Sequence, residues 1–199
     1  MSVHHIHTTP KKDRILLHLR TLSPLHCSPW LTRVMTDTMN FAGHGSCIPE
    51  ANTGRPHVLS VLYVDDEPIL LDVCKLYLER CSDISVSVSS SVDDALTLLE
   101  TTSFDVIISD YQMPGTDGIG FLKILREKHC SIPFILFTGR GREEVMVEAM
   151  SNGAMFYIQK GGHPRSQFAE LNTKIREAFR RSLVKDNVNK DQIVVQHAF

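Results

Sequence analysis

Four short, mostly apolar runs in this 199-residue chain each end on polar chemistry. Val61-Leu62-Tyr63-Val64 runs into Asp65-Asp66, Val106-Ile107-Ile108-Ser109 into Asp110, Phe134-Ile135-Leu136-Phe137 into Thr138, and Phe156-Tyr157-Ile158-Gln159 into Lys160. Runs that are apolar without polar alternation, and separated by helix-length amphipathic stretches, read as parallel strands buried on both faces. The carboxyl ends of such strands line one crevice, so three acids, a hydroxyl and an amine are expected to meet there.

The charge balance of that cluster constrains its chemistry. Two carboxylates about 4–5 Å apart repel by roughly 3–4 kcal/mol at an effective dielectric of about 20, so three together need protonation or positive charge. A divalent cation is the natural counter-charge. Carboxylates, a backbone carbonyl and water are hard oxygen ligands that favour Mg²⁺ or Mn²⁺, and the sequence supplies no thiolate or imidazole cluster of the kind that favours zinc. Magnesium in turn favours phosphate. A carboxylate can act as the nucleophile and form an aspartyl phosphate, with metal, lysine and hydroxyl sharing the charge of the transferring group.

On these residues the chain resembles the receiver domain of two-component response regulators, over about residues 58 to 183. By that resemblance Asp65 and Asp66 match the acidic pair, Asp110 the phosphate acceptor, Thr138 the switch hydroxyl, Lys160 the site lysine and Tyr157 the switch aromatic. The resemblance implies a Mg²⁺ held by Asp66 and Asp110, by Asp65 through water, and by the main-chain carbonyl of Gln112. The run Asp110-Tyr-Gln-Met-Pro-Gly-Thr-Asp-Gly118 matches the family's acceptor loop. One departure stands out: the family usually follows the lysine with a cis proline, whereas this chain reads Lys160-Gly161-Gly162. Glycine can take unusual backbone angles, but a cis bond without proline costs about 2.5–4 kcal/mol, so the resemblance leaves the geometry of the lysine loop open. The segments Phe137 to Glu144 and Gln159 to Gly162 are similar to receivers joined to sensor histidine kinases in methane-producing archaea.

The expected fold is α/β: a three-layer, doubly wound, flavodoxin-like (βα)5 sandwich whose five parallel strands take the order 2-1-3-4-5 that the resemblance implies. Pro68 suits a first helical turn, and Ile69, Val73, Leu76 and Leu78 give a helix to about Arg80 an apolar face. Ile84 to Val88 reads as the second strand, followed by a helix begun by Ser91 or Asp93. A third helix is expected from about Gly118 to Lys128, a fourth from Arg142 to Ser151, and a fifth from Pro164 to Leu183. This divides the chain into a flexible leader over 1–56, a receiver domain over 57–184 and a short tail over 185–199. Met35 and Met39 are alternative starts within the leader, and its His4, His5 and His7 are at most a weak metal-binding group.

Formal net charge is −2, which supplies no global basic field for nucleic acid or anionic membrane. The five cysteines show no C-x-x-C spacing, and an odd number cannot pair fully within one chain, so reduced thiols and a cytoplasmic location are expected. No apolar stretch approaches a membrane span. Gly139-Arg140-Gly141-Arg142 lacks the Walker pattern and reads as the connection after Thr138, with Arg140 and Gln112 flanking the site. The fifth helix turns basic toward its end, through Lys174, Arg176, Arg180, Arg181 and Lys185, and that face is solvated or a docking surface.

Each site residue has a plainer reading. An Asp-Asp pair after a strand can cap a helix, Asp110 can serve a turn, Thr138 a local backbone group, Lys160 solvent, and Tyr157 the core. Their coincidence at four strand ends favours a phosphoacceptor site. The resemblance therefore implies a response regulator that takes a phosphoryl group from a histidine kinase or phosphotransfer protein and switches a face for a downstream protein target. Its own chemistry would be limited to self-phosphorylation from phosphohistidine and autodephosphorylation; it is not expected to be a kinase. Too little chain follows the fifth helix for a DNA-binding output, so a stand-alone receiver is expected. The alternatives are a fragment of a hybrid kinase and a phosphorylation-independent interaction module.

Overall fold

The structure, a computed structural model, describes residues 57–139 and 141–196, and for 186–196 the backbone alone. The expected leader, with Cys27, Cys47 and the terminal histidines, and Arg140 lie outside the described residues.

Five parallel strands carry the fold. These are β1 (Leu59–Val64), β2 (Ile84–Ser89), β3 (Val106–Ser109), β4 (Phe134–Thr138) and β5 (Phe156–Gln159), arranged in the order β2-β1-β3-β4-β5. Between and after them run α1 (Pro68–Leu78), α2 (Val92–Thr101), α3 (Gly118–Glu127), α4 (Glu143–Ser151) and α5 (Pro164–Gln196). The expected topology is the observed one.

Strand alternation sorts the core into two layers. Val61 and Tyr63 of β1 pack with Ile108, Ile135, Phe137 and Ile158 against α1 and α5. Leu62 and Val64 pack with Ile107, Phe134 and Leu136 against α2, α3 and α4. All four β3 residues and all five β4 residues are buried, which is why these strands show no polar alternation. The register Val64↔Ser109 between β1 and β3, and Thr138↔Gln159 between β4 and β5, brings the strand ends level, so the residues just beyond them share one rim.

Local chemistry fixes the helix starts on that rim. Pro68 occupies the first turn of α1, where its missing N–H leaves no helical bond unmade. The Ser91 hydroxyl caps α2 by accepting from the Asp94 N–H at 3.1 Å, which resolves the choice between Ser91 and Asp93. The Asp117 carboxylate caps α3 by accepting from the Gly120 N–H at 2.7 Å.

Two expectations are corrected. The last helix continues to Gln196 instead of ending near Leu183. Its apolar spacing fades where it leaves the sheet, but the sequence from Val184 to Gln196 contains neither Gly nor Pro to stop it. The cysteines are not uniformly reduced: Cys74 and Cys130 are free, whereas Cys81 is disulfide-bonded. An odd count leaves one thiol over but forbids no single bridge. Among the described residues no helix is long and apolar enough to cross a membrane.

Candidate functional site

The rim at the carboxyl ends of β1, β3, β4 and β5 gathers the residues singled out from the sequence. Lys160, immediately after β5, lies at its centre with its side chain only 5% exposed. Its Nζ donates to Asp65 Oδ2 at 2.6 Å and sits 2.9 Å from Asp110 Oδ1. The Lys160 N–H donates to the Thr138 carbonyl at 2.7 Å, tying the lysine to the end of β4. Thr138 is itself buried, as are Asp65 and Asp110.

The two buried acids are held differently. Asp65 Oδ1 accepts from the Glu67 N–H at 3.0 Å, and Oδ2 accepts from the Tyr63 hydroxyl as well as from Lys160. Asp110 Oδ2 accepts from the Gln112 N–H at 2.8 Å, while its N–H donates to the Val64 carbonyl at 2.8 Å. Asp66, by contrast, is exposed at the mouth. Burial raises the Asp110 carboxyl above the ordinary carboxylate range; Lys160 opposes this, Asp65 adds to it, and the net direction is upward. Burial alone would lower the Lys160 ammonium, but Asp65 and Asp110 more than offset it and raise it, so the lysine stays charged. The Tyr63 hydroxyl is pushed well above its ordinary value, first by burial and then by Asp65, so it remains a donor.

A close approach fixes the loop that follows Asp110. Gly118, at the start of α3, lies so near the loop that a Cβ there would stand 2.1 Å from the Asp110 carbonyl oxygen and 2.9 Å from Leu136 Cδ1. The Gly118 N–H donates to the Tyr111 carbonyl at 2.9 Å, closing the turn.

The lysine loop shows how this chain manages without proline. No cis peptide occurs among the described residues, and Gly162 takes φ +73°. The buried Gln167 side chain brackets the lysine: its Nε2 donates to the Gln159 carbonyl at 2.5 Å, and its Oε1 accepts from the Gly161 N–H at 2.5 Å. Sequence reading missed Gln167 because the residue lies on α5, where an isolated glutamine reads as surface. It missed the Tyr63 hydroxyl too, although residues two apart on a strand share a face and Tyr63 stands two before Asp65.

Tyr157 on β5 is half-buried and packs beside the α2–α4 core layer. Its hydroxyl lies over Gly141: a Cβ there would stand 1.2 Å from Tyr157 Oη and 2.5 Å from Cζ. Gly141→Ala is therefore expected to turn the ring out of this position, at a cost of about 1–3 kcal/mol. Changed Tyr157 ring resonances would report the displacement, and the stability cost should largely vanish in a Tyr157→Ala background. An additive cost in the double variant would contradict the contact.

The donor set suits a magnesium ion in a restricted sense. Among the described residues no three His, Cys, Asp or Glu side chains converge in a metal-holding group, because Asp65 is turned inward to Lys160 and Tyr63. Magnesium, however, keeps several waters and is usually bound through only one or two carboxylates. The exposed Asp66, the carboxylate of Asp110 and the backbone at Gln112 supply that kind of incomplete oxygen shell.

The sequence model of the response regulator receiver domain matches residues 61–172, more than half of the chain. The chain belongs to the response regulator receiver family, which serves two-component signalling through phosphorylation. It is 31% identical over 138 residues to the transcriptional regulatory protein ResD of Bacillus subtilis, a match covering 69% of this chain and 57% of ResD. The chain thus spans little more than half the length of that relative. Among solved structures it is similar to the receiver domain of the Francisella response regulator 1452, with TM-score 0.57 and 29% identity over 62% of this chain and 98% of that one. A CheY-like receiver domain protein from Methanospirillum hungatei aligns with TM-score 0.55 and 25% identity, covering 62% of this chain and 98% of that chain.

Proposed function

We propose that the chain is a phosphorylation switch in a two-component relay, in which Asp110 takes a phosphoryl group from a phosphorylated histidine of a kinase or phosphotransfer protein. The observation that carries this reading is the Lys160 ammonium set between two buried carboxylates, Asp65 and Asp110, at 2.6 and 2.9 Å. An acid cluster paired with a fixed cation, on the rim of a parallel sheet, is suited to receive a group whose charge needs sharing.

In the proposed step an Asp110 carboxylate oxygen attacks phosphorus in line. The bond from phosphorus to the imidazole nitrogen breaks, and that nitrogen keeps the electron pair and is protonated from solvent. Asp66, Asp110 and the Gln112 carbonyl would hold a Mg²⁺, with Asp65 acting through water; when bound, the ion neutralises charge on the phosphoryl oxygens. Lys160 would balance the same charge. The Gln112 N–H steadies one Asp110 oxygen, and Gln167 keeps the lysine loop in place.

After transfer the phosphoryl oxygens offer acceptors to the Thr138 hydroxyl. Movement of Thr138 and the β4–α4 connection would change the space available to Tyr157, which already packs over Gly141 in that connection. The output face would be α4, β5 and α5, where Met146, Val147 and Met150 are 39%, 56% and 48% exposed. Such a switch biases two arrangements already in equilibrium. Its test is incorporation of phosphate from acetyl phosphate: uptake that requires Mg²⁺ is expected, and absence of uptake beside a labelled control receiver would overturn the proposal.

A further inference from the structure

The hydroxyl of Tyr63 takes no part in the transfer described above, yet it touches the site. The Tyr63 ring is wholly buried in the layer beneath α1 and α5, and its Oη donates to Asp65 Oδ2 at 2.5 Å. Asp65 has no solvent exposure either. The same Oδ2 accepts from Lys160 Nζ at 2.6 Å, so one carboxylate oxygen has two donors of different kinds. One is a neutral phenol fixed by the core, and the other is a charge shared with Asp110 at 2.9 Å.

Phosphoryl transfer asks more of the second donor. As Lys160 turns its protons toward an incoming phosphoryl group, it loosens its hold on Asp65, whose carboxylate is buried away from bulk solvent. A buried carboxylate losing its partner is strongly penalised unless another donor remains. The Tyr63 hydroxyl is such a donor. Phenylalanine would fill the same space in the core, so packing alone does not call for the oxygen.

We infer that Tyr63 is a positioning residue for phosphoryl transfer: its hydroxyl holds Asp65 while Lys160 shifts its interaction from Asp65 to the phosphoryl group. The inference rests on Asp110 being the acceptor, as proposed above. It acts through Asp65 and Lys160, with no contact to the reacting atoms.

The experiment compares the full-length wild type with Tyr63→Phe. Acetyl phosphate labelling in Mg²⁺ is followed by intact mass to obtain the maximal rate and the donor concentration at half-maximal rate. Mg²⁺ affinity of the unphosphorylated proteins is measured by calorimetry, and thermal unfolding confirms that both are folded. Loss of one hydrogen bond to a charged group is expected to lower the maximal rate roughly tenfold. The half-saturating donor concentration and the Mg²⁺ affinity are expected to stay within about twofold, because the Tyr63 hydroxyl bonds to Asp65 and to none of Asp66, Asp110 and Gln112, the groups proposed to hold the ion directly. A wild-type maximal rate in Tyr63→Phe would overturn the inference. So would a rate loss matched by weaker Mg²⁺ binding, since general loosening of the site produces that pattern. Failure of the wild type itself to label would instead remove the phosphoacceptor reading, and this inference with it.

Discussion

Replacing Lys160 by methionine is expected to cost about 3–5 kcal/mol of stability in chelator-treated protein, read as a lower denaturant midpoint. The side chain is nearly inaccessible and its ammonium lies within 2.9 Å of both Asp65 and Asp110. Without it, two buried carboxylates face each other with only neutral donors. The loss should depend on pH with a definite sign. The Asp110 carboxyl is already raised in the folded protein, first by burial. A carboxyl with a raised folded value favours the fold below its unfolded value, and that contribution is lost as pH rises through the folded value. Removing the cation raises it further, so the Lys160→Met penalty should be larger near pH 8 than near about pH 5. Added Mg²⁺ should recover part of the loss. A penalty independent of pH, or one under about 1 kcal/mol, would contradict the buried charge balance.

Gly118→Ala is expected to be the most damaging single-methyl addition near the site. Its Cβ would meet the Asp110 carbonyl oxygen at 2.1 Å, and that oxygen belongs to backbone pinned by β1. The first wall is backbone, and the second, Leu136 Cδ1 at 2.9 Å, belongs to a side chain buried in the core. Relief requires α3 or the loop after Asp110 to move, at about 2–3 kcal/mol. Because the moving loop carries Asp110, phosphate uptake should fall as well, by more than the fraction unfolded explains. Gly161→Ala makes the control, since nothing stands within 4 Å of a Cβ there. Equal stability of the two variants would contradict the close approach.

The sheet was legible in the sequence because its central strands β3 and β4 are buried on both faces, so Val106 to Ser109 and Phe134 to Thr138 show largely apolar character ahead of polar ends. The convergence of the candidate residues was legible because Asp65, Asp110, Thr138 and Lys160 directly end or follow strands, and parallel register brings those ends together. What escaped at the site depends on side-chain hydrogen bonds that residue type and apolar spacing do not reveal. Gln167 reaches back to Gln159 and Gly161 from a helix, and nothing local distinguishes it from a surface glutamine. The Tyr63 hydroxyl was hidden inside an apolar run, where a tyrosine counts as core. The extension of α5 to Gln196 escaped because apolar spacing marks where a helix is packed, and a helix can outlast its packing.

Intact-mass labelling of wild type and Asp110→Asn with acetyl phosphate, with and without Mg²⁺, tests the central claim most directly. Wild type with Mg²⁺ should gain the mass of one phosphoryl group, and neither Asp110→Asn nor Mg²⁺-depleted wild type should gain it. Equal, Mg²⁺-dependent labelling of Asp110→Asn would contradict the assignment of Asp110 as the acceptor.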